Sequence, residues 1–324
     1  MRRFKKILLV CDEESLHNAV IRRATSLAKE NGASVTLIEV VDSAPGEFSK
    51  LFSGLPRDFE EKLLDFHRKR LTKVARKIKA EGIETDEVVL NGVPFLEIVR
   101  KVLTDGHDLV MKGAGSGQES LFFTSTDLHL MRKCPCPVWV MKKTRKRHYA
   151  RVLAAVEPDT TDEQRNAMNK MIMELATSLT IMDGGELHVV NAWKLDDEQT
   201  LRHSGFARIS GAAVDTLLEK KRLKSEEDLN RLVLRHPTDG VKRHVHLLKG
   251  HARDVIPKFA AKQRVELIVM GTVGRTGIPG VIIGNTAEAI LNQVECSVIA
   301  VKPPGFETPV LPGVTRAAQT LQFA

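Results

Sequence analysis

The chain has 324 residues, 42% hydrophobic and 28% charged, with a formal net charge of +8, a length and composition that suit two soluble globular domains of roughly 150 residues each. No apolar run approaches the roughly 20 residues of a membrane span, and the start MRRFKKILLVCDEES is too short in apolar residues for the core of a signal peptide, so neither is expected. Cys11, Cys134, Cys136 and Cys296 form no paired framework, which points to a reducing compartment, the cytoplasm by default.

In chain order, KILLV reads as a first strand. Leu16, Ala19, Val20, Ala24, Leu27 and Ala28 then mark one face of a helix expected to open at Ser15 and close near Gly32. SVTLIEVV is a second strand, residues 58–80 a long charged helix, ETDEVVL a third strand and residues 94–103 a helix. HDLVMK is a fourth strand, residues 126–132 a helix and VWVMK a fifth strand. Strands separated by helices, with runs such as ILLV and LIVM apolar on both faces, predict parallel sheets covered on each side. The fold class is therefore α/β, two tandem open sandwiches. In such sheets ligands sit at the carboxyl ends of the strands, where strand order reverses.

The chain also repeats itself. ATSLAKENGASVTLIEVVD (24–42) aligns without a gap on ATSLTIMDGGELHVVNAWK (176–194), with glycines at Gly32 and Gly184. HDLVMKGAG matches VELIVMGTV, and CPVWVMK matches CSVIAVK. The expected organisation is domain 1 over 1–143, domain 2 over 150–303 and a Pro-rich tail over 304–324, with the basic stretch KKTRKRHYA at the join.

The most informative local stretch is GTVGRTGIPGVIIGNTAEAI, which lies between the apolar run VELIVM and a helical segment. Glycines at Gly271, Gly274, Gly277, Gly280 and Gly284 suit a chain that must turn through positive φ and bring backbone N–H groups close to a ligand. Asn285 is the expected N-cap of the next helix, with Glu288 completing a capping box, so free N–H groups there favour an anion. Arg275 is placed to neutralise part of a phosphate chain's charge. A merely structural glycine loop is the competing reading from spacing alone.

Gly271, two residues, Gly274, nine residues, Gly284 and Asn285-Thr286 resemble the nucleotide loop of the universal stress protein family, usually G-x2-G-x9-G-S/T. With the repeat, the whole chain resembles the tandem, E-type members, on GTVGRTGI and GNTAE in the second half and TDLHLMRKCP in the first. The resemblance implies a mostly five-stranded parallel sheet per half, of the adenine nucleotide alpha hydrolase-like kind, with cytoplasmic location, stress-linked regulation and ATP binding in loop-bearing members.

Carried across residue by residue, the resemblance puts Gly271, Gly274, Gly284, Asn285 and Thr286 on the phosphate loop, with Asn285 in place of the usual serine or threonine. Glu157 takes the place of a family aspartate near the nucleoside, and Val190 is a candidate adenine neighbour through its backbone. In the first half Asp12 fits the carboxylate position, but Gly113, Ser116 and Thr124 fall on the three loop glycines, followed by Ser125 and Thr126. One glycine of three survives, so poor ATP binding is expected there; a different ligand, a pairing role and an empty pocket all stay open. SGQES resembles a pyrophosphate-loop motif only faintly and does not follow the first strand.

Other candidates weigh less. His244 and His246 alternate with apolar residues on one face of a strand, where a metal site competes with solvent exposure or a core hydrogen bond. His129 and Lys133 read as an exposed helix face, and Cys134 with Cys136 lacks the second pair of ligands that a metal site needs. There is no Ser/His/Asp order, paired carboxylates or H-x-x-x-H pattern to commit the chain to hydrolysis. Residues 1–148 carry 27 Lys and Arg against 20 Asp and Glu, so nearly all the net charge lies in the first half. With aromatic content at 5%, the basic linker reads as solvated, and nucleic acid is not an expected partner.

Two readings follow: a regulatory module that holds ATP with Mg²⁺ in domain 2 and acts through protein partners, and a slow ATP hydrolase or nucleotide-dependent transferase. The resemblance also implies that the fifth strands, VWVMK and VIAVK, pair within the chain; a homodimer is open. In the tail, Phe306, Val310 and Leu311 are expected to lie against the domains.

Overall fold

The computed structural model describes residues 3–12, 16–42, 59–115, 123–144, 146–159, 161–203, 210–238, 240–272 and 284–311. Over the described residues the chain divides into two compact units, the first running to residue 147 and again over 297–311, the second over 148–272 and 284–296. The last strand is therefore grouped with the first unit, although the repeat assigns it to the second half.

The first unit runs β1 (Lys6–Val10), α1 (Asn18–Asn31), β2 (Ser34–Asp42), α2 (Phe59–Lys79), β3 (Thr85–Gly92), α3 (Pro94–Asp105), β4 (Leu109–Gly113), α4 (Ser125–Lys133) and β5 (Val138–Met141). Its sheet order is β3-β2-β1-β4-β5, all parallel. The strand β10 (Ser297–Val301) closes it antiparallel to β5, with Ile299 opposite Trp139. Consecutive residues Ile7 to Val10 are all buried, as a strand covered on both faces requires.

The second unit runs β6 (Arg151–Ala155), α5 (Glu163–Asp183), β7 (Glu186–Trp193), α6 (Glu198–His203), α7 (Gly211–Arg235), β8 (Lys242–Lys249), α8 (Ala252–Lys262), β9 (Leu267–Gly271) and α9 (Asn285–Leu291). Its strands lie parallel in the order β9-β6-β7-β8. In both units the chain returns to the far side of its first strand, so β1/β4 and β6/β9 are the points where strand order reverses.

Helix ends repeat between the units. Gly32 and Gly184 both sit in the left-handed region, at φ 65° and 64°, and stop α1 and α5, as their aligned places in the repeat require. The helix expected from Ser15 begins later, because His17, extended at φ −119° and ψ 158°, is the N-cap; Ser15 lies outside the described residues. Helix α3 runs two residues past Leu103 and ends at Gly106, again left-handed at φ 70°. In the tail Val310 is buried, Phe306 is half-buried beneath the Lys302 ammonium, 5.3 Å from its ring centre, and Leu311 is 79% exposed. Leu311 thus departs from the expectation. Among the described residues no helix is long and apolar enough to cross a membrane.

Candidate functional site

At the carboxyl end of β6 the backbone is held by two buried asparagines. Asn169 on α5 accepts the Glu157 N–H at 3.0 Å and donates to the Glu157 carbonyl at 2.8 Å, while Asn191 donates to the Val156 carbonyl at 3.0 Å. This clamp presents the Glu157 side chain, 48% exposed, beside the strand ends. Arg165 lies 3.8 Å from Glu157 and closer to Asp159, at 2.7 Å, and to Asp162, at 3.1 Å. Val190 is fully buried in β7, and its carbonyl accepts the Val156 N–H at 2.9 Å, so its backbone serves the sheet.

Strand β9 ends beside β6, with Ala155 opposite Met270, which brings the Glu157 and Thr272 levels side by side. Gly284 donates its N–H to the Thr272 carbonyl at 2.9 Å, so the two ends of the glycine-spaced connection are tied together. Gly274, Gly277, Gly280 and Arg275 lie outside the described residues.

Two expectations need correction here. Asn285 is not the N-cap: Gly284, extended at φ −61° and ψ 135°, holds that place without a side-chain cap bond, because its carbonyl accepts the Glu288 N–H at 3.0 Å and starts the helical ladder. Asn285 and Thr286 are the exposed first residues of α9. Nor do Gly271 and Gly284 adopt positive φ. A Cβ on Gly271 would come within 2.5 Å of Sδ and 2.8 Å of Cε of Met168, so close helix packing explains that glycine.

The first unit carries a different arrangement at the matching place. Lys112, near the end of β4 and 3% exposed, lies 3.2 Å from Asp12 Oδ2 and 3.0 Å from Asp127 Oδ1, and donates to the Gly113 carbonyl at 3.1 Å. Burial pushes the lysine pKa down, but Asp127 and Asp12 outweigh it and hold the ammonium above its ordinary range. Thr124 is the N-cap of α4: its Oγ1 accepts the Asp127 N–H at 3.2 Å, and Asp127 Oδ2 accepts the Thr124 N–H at 2.8 Å. Gly113 is buried in β4, Ser125 is exposed, Thr126 is half-buried and Ser116 lies outside the described residues.

Sequence reasoning passed over Lys112, Asp127, Asn169 and Asn191. A lysine inside the apolar run DLVMKG, aligned with Met270, was the available signal for the first pair. Further along the first sheet, the buried Glu39 pairs with Arg70 and, at 2.6 Å, with His67, and Arg70 donates to the Cys11 carbonyl at 2.8 Å. Burial raises the Glu39 pKa, against the pull of Arg70 and His67.

The remaining candidates resolve as packing. His246 Nε2 meets His188 Nδ1 at 3.1 Å, His244 Nε2 meets Glu186 at 3.2 Å, and the rings lie nearly parallel. Among the described residues no group of three His, Cys, Asp or Glu could hold a metal ion. His129 stacks on Phe95 at 4.3 Å, with Lys133 over the same ring. The buried thiols of Cys134 and Cys136 lie 3.5 Å apart.

Two parallel α/β units built from one repeat, each with a carboxylate at its switch point and one with a glycine-spaced connection, define a tandem open-sandwich protein. The sequence model of the Universal stress protein family matches residues 3–142 and again 148–302, and the chain belongs to that family. The chain is 28% identical over 315 residues to Universal stress protein E of Escherichia coli K12, covering 96% of this chain and 98% of that protein. Against the Universal stress protein E homolog of Haemophilus influenzae the identity is 27%, over 93% and 98% of the two chains. The tandem, E-type resemblance therefore holds along nearly the whole chain. Among solved structures, a functionally unknown protein from Pseudomonas aeruginosa PAO1 shares the fold at a TM-score of 0.70 and 22% identity, over 93% of this chain and 94% of that one. A universal stress protein from Archaeoglobus fulgidus does so at 0.63 and 18%, over 92% and 96%.

Proposed function

We propose that the chain is a cytoplasmic stress-response regulator that binds ATP, with Mg²⁺, in its second unit and acts through protein partners. The observation that carries this reading is the connection from β9 to α9. Gly271, Gly274, Gly284, Asn285 and Thr286 have phosphate-loop spacing, the connection's ends are tied by the Gly284–Thr272 hydrogen bond, and it leaves the sheet at the switch point beside Glu157.

The residues present suit the ligand. The half-exposed carboxylate of Glu157 suits the hydroxyls of a nucleoside, and the exposed Asn285 and Thr286 suit phosphate oxygens. Arg275 supplies positive charge from within the connection, and Val190 in β7 is the candidate adenine neighbour. Among the described residues no nucleophile paired with a base accompanies these groups, which favours binding over turnover. A slow ATP hydrolase is the second reading.

Calorimetric titration of nucleotide-stripped protein with ATP and Mg²⁺, beside Gly274→Val, tests the assignment. One binding site lost in the variant is the expected result. Equal binding by parent and variant would refute the loop assignment, and turnover above the variant's background would favour the hydrolase.

A further inference from the structure

The units solve the same structural position in opposite ways. Strands β4 (LVMKG) and β9 (LIVMG) match residue for residue, which sets Lys112 against Met270. Helices α4 and α9 match from their N-caps, Thr124 and Gly284, which sets Asp127 against Ala287 at the third helical position. The second unit thus has a buried apolar pair, Met270 and Ala287, where the first has a buried ion pair.

We infer that Lys112 is a built-in replacement for a ligand in the first unit: its ammonium engages Asp12, ties it to Asp127 at the start of α4, and closes that site to a nucleoside phosphate. The inference rests on the second unit being the nucleotide site, because Asp12 is compared with Glu157.

Two features carry it. Asp12 follows β1 as Glu157 follows β6, yet Asp12 Oδ2 has a buried ammonium 3.2 Å away, which competes with a ligand hydroxyl for that oxygen. The start of α4 is satisfied from within, through the reciprocal Thr124 and Asp127 bonds, whereas the N-cap of α9 has no side-chain cap bond. Burying these charges is tolerable only because they are mutually paired, so the set holds together as one unit. The three elements of the first unit are thereby held together by its own side chains.

Hydrogen–deuterium exchange on the full chain tests this, with and without ATP and Mg²⁺. The variants are Lys112→Met with Asp127→Ala, which copies the second unit, and Lys112→Met with Asp127→Asn, which keeps an acceptor for the Thr124 N–H should the first fail to fold. In the parent, ATP is expected to slow exchange around Glu157 and α9 and to leave Asp12 and residues 124–128 unchanged. In the variants, exchange at Cys11 and Asp12, on a different element from the substituted cap, is expected to rise at least tenfold. Unchanged exchange there in both variants, or ATP protection of Asp12 in the parent, overturns the inference. Absence of any ATP effect around Glu157 and α9 would sink the nucleotide reading of the second unit, while exchange at Asp12 in the variants would still decide the role of Lys112.

Discussion

Acidification offers a quantitative test of the histidine stack in the second unit. His188 is 5% exposed, lies between His244 and His246 with ring centres at 4.9 and 5.3 Å, and has Phe259 of α8 at 6.0 Å. Burial, then His246 and His244, push its pKa down from 6.5 to about 4; Glu186 opposes them and Arg151 adds to them. Between those two pH values the unfolded chain binds a proton that the folded chain refuses, so stability falls as pH falls through the window. At 1.36 kcal/mol per pH unit, the loss for this one group is about 2 kcal/mol between pH 6.5 and 5, and on the order of 3 kcal/mol by pH 4. The assay is urea unfolding at pH 7 and pH 5, followed by Trp193 fluorescence in a Trp139→Phe background, for the parent and for His188→Phe. Phenylalanine keeps the stacked ring but cannot take the proton. The variant starts less stable, having lost the bond to His246, yet its acid loss should be smaller by about 2 kcal/mol. The same acid loss in both proteins would refute the assignment of the effect to His188.

Two further outcomes follow from packing and hydrogen bonding. Gly271→Ala, which drives a Cβ to within 2.5 Å of Met168 Sδ, should cost roughly 1–3 kcal/mol by overpacking, and Met168→Ala in the same chain should relieve that strain; urea midpoints of the two single variants and the double test the coupling. Asn169→Ala removes both bonds to the Glu157 backbone and should destabilise the second unit by about 2 kcal/mol while weakening ATP binding; calorimetry beside unfolding reads both, and unchanged affinity would separate the clamp from the site.

The sheets were legible because their signal is local and strong. Runs such as ILLV and LIVM sit on both-face-covered strands, and the aligned Gly32 and Gly184 end helices in both units, so the repeat could be followed through the architecture. The long helix α7 was harder to read: its buried residues, Val214, Leu218, Leu229, Leu232 and Val233, are separated by a solvated middle from Glu219 to Asp228 that breaks the apolar period. The site was legible as a pattern of types and spacings, but not as a set of contacts. Glycine spacing singled out Gly271 for positive φ and a close ligand, whereas the structure gives packing against Met168 as its reason, since φ and the approach of Met168 belong to tertiary structure. The Asn169 clamp joins residues 12 positions apart through a fully buried side chain, and polar residues in a helix pattern do not announce such a role.

The divergence of the two halves follows from the same physics. A parallel sheet with reversed strand order leaves a crevice lined by strand ends and a helix start, and the polar groups there need partners. The first unit answers with its own side chains, Lys112, Asp127 and Thr124. The second keeps Met270 and Ala287 buried at the same places, with Gly284 giving α9 no side-chain cap. Under the proposed function, occupancy of the second unit is then read against a first unit whose Lys112 set is complete on its own.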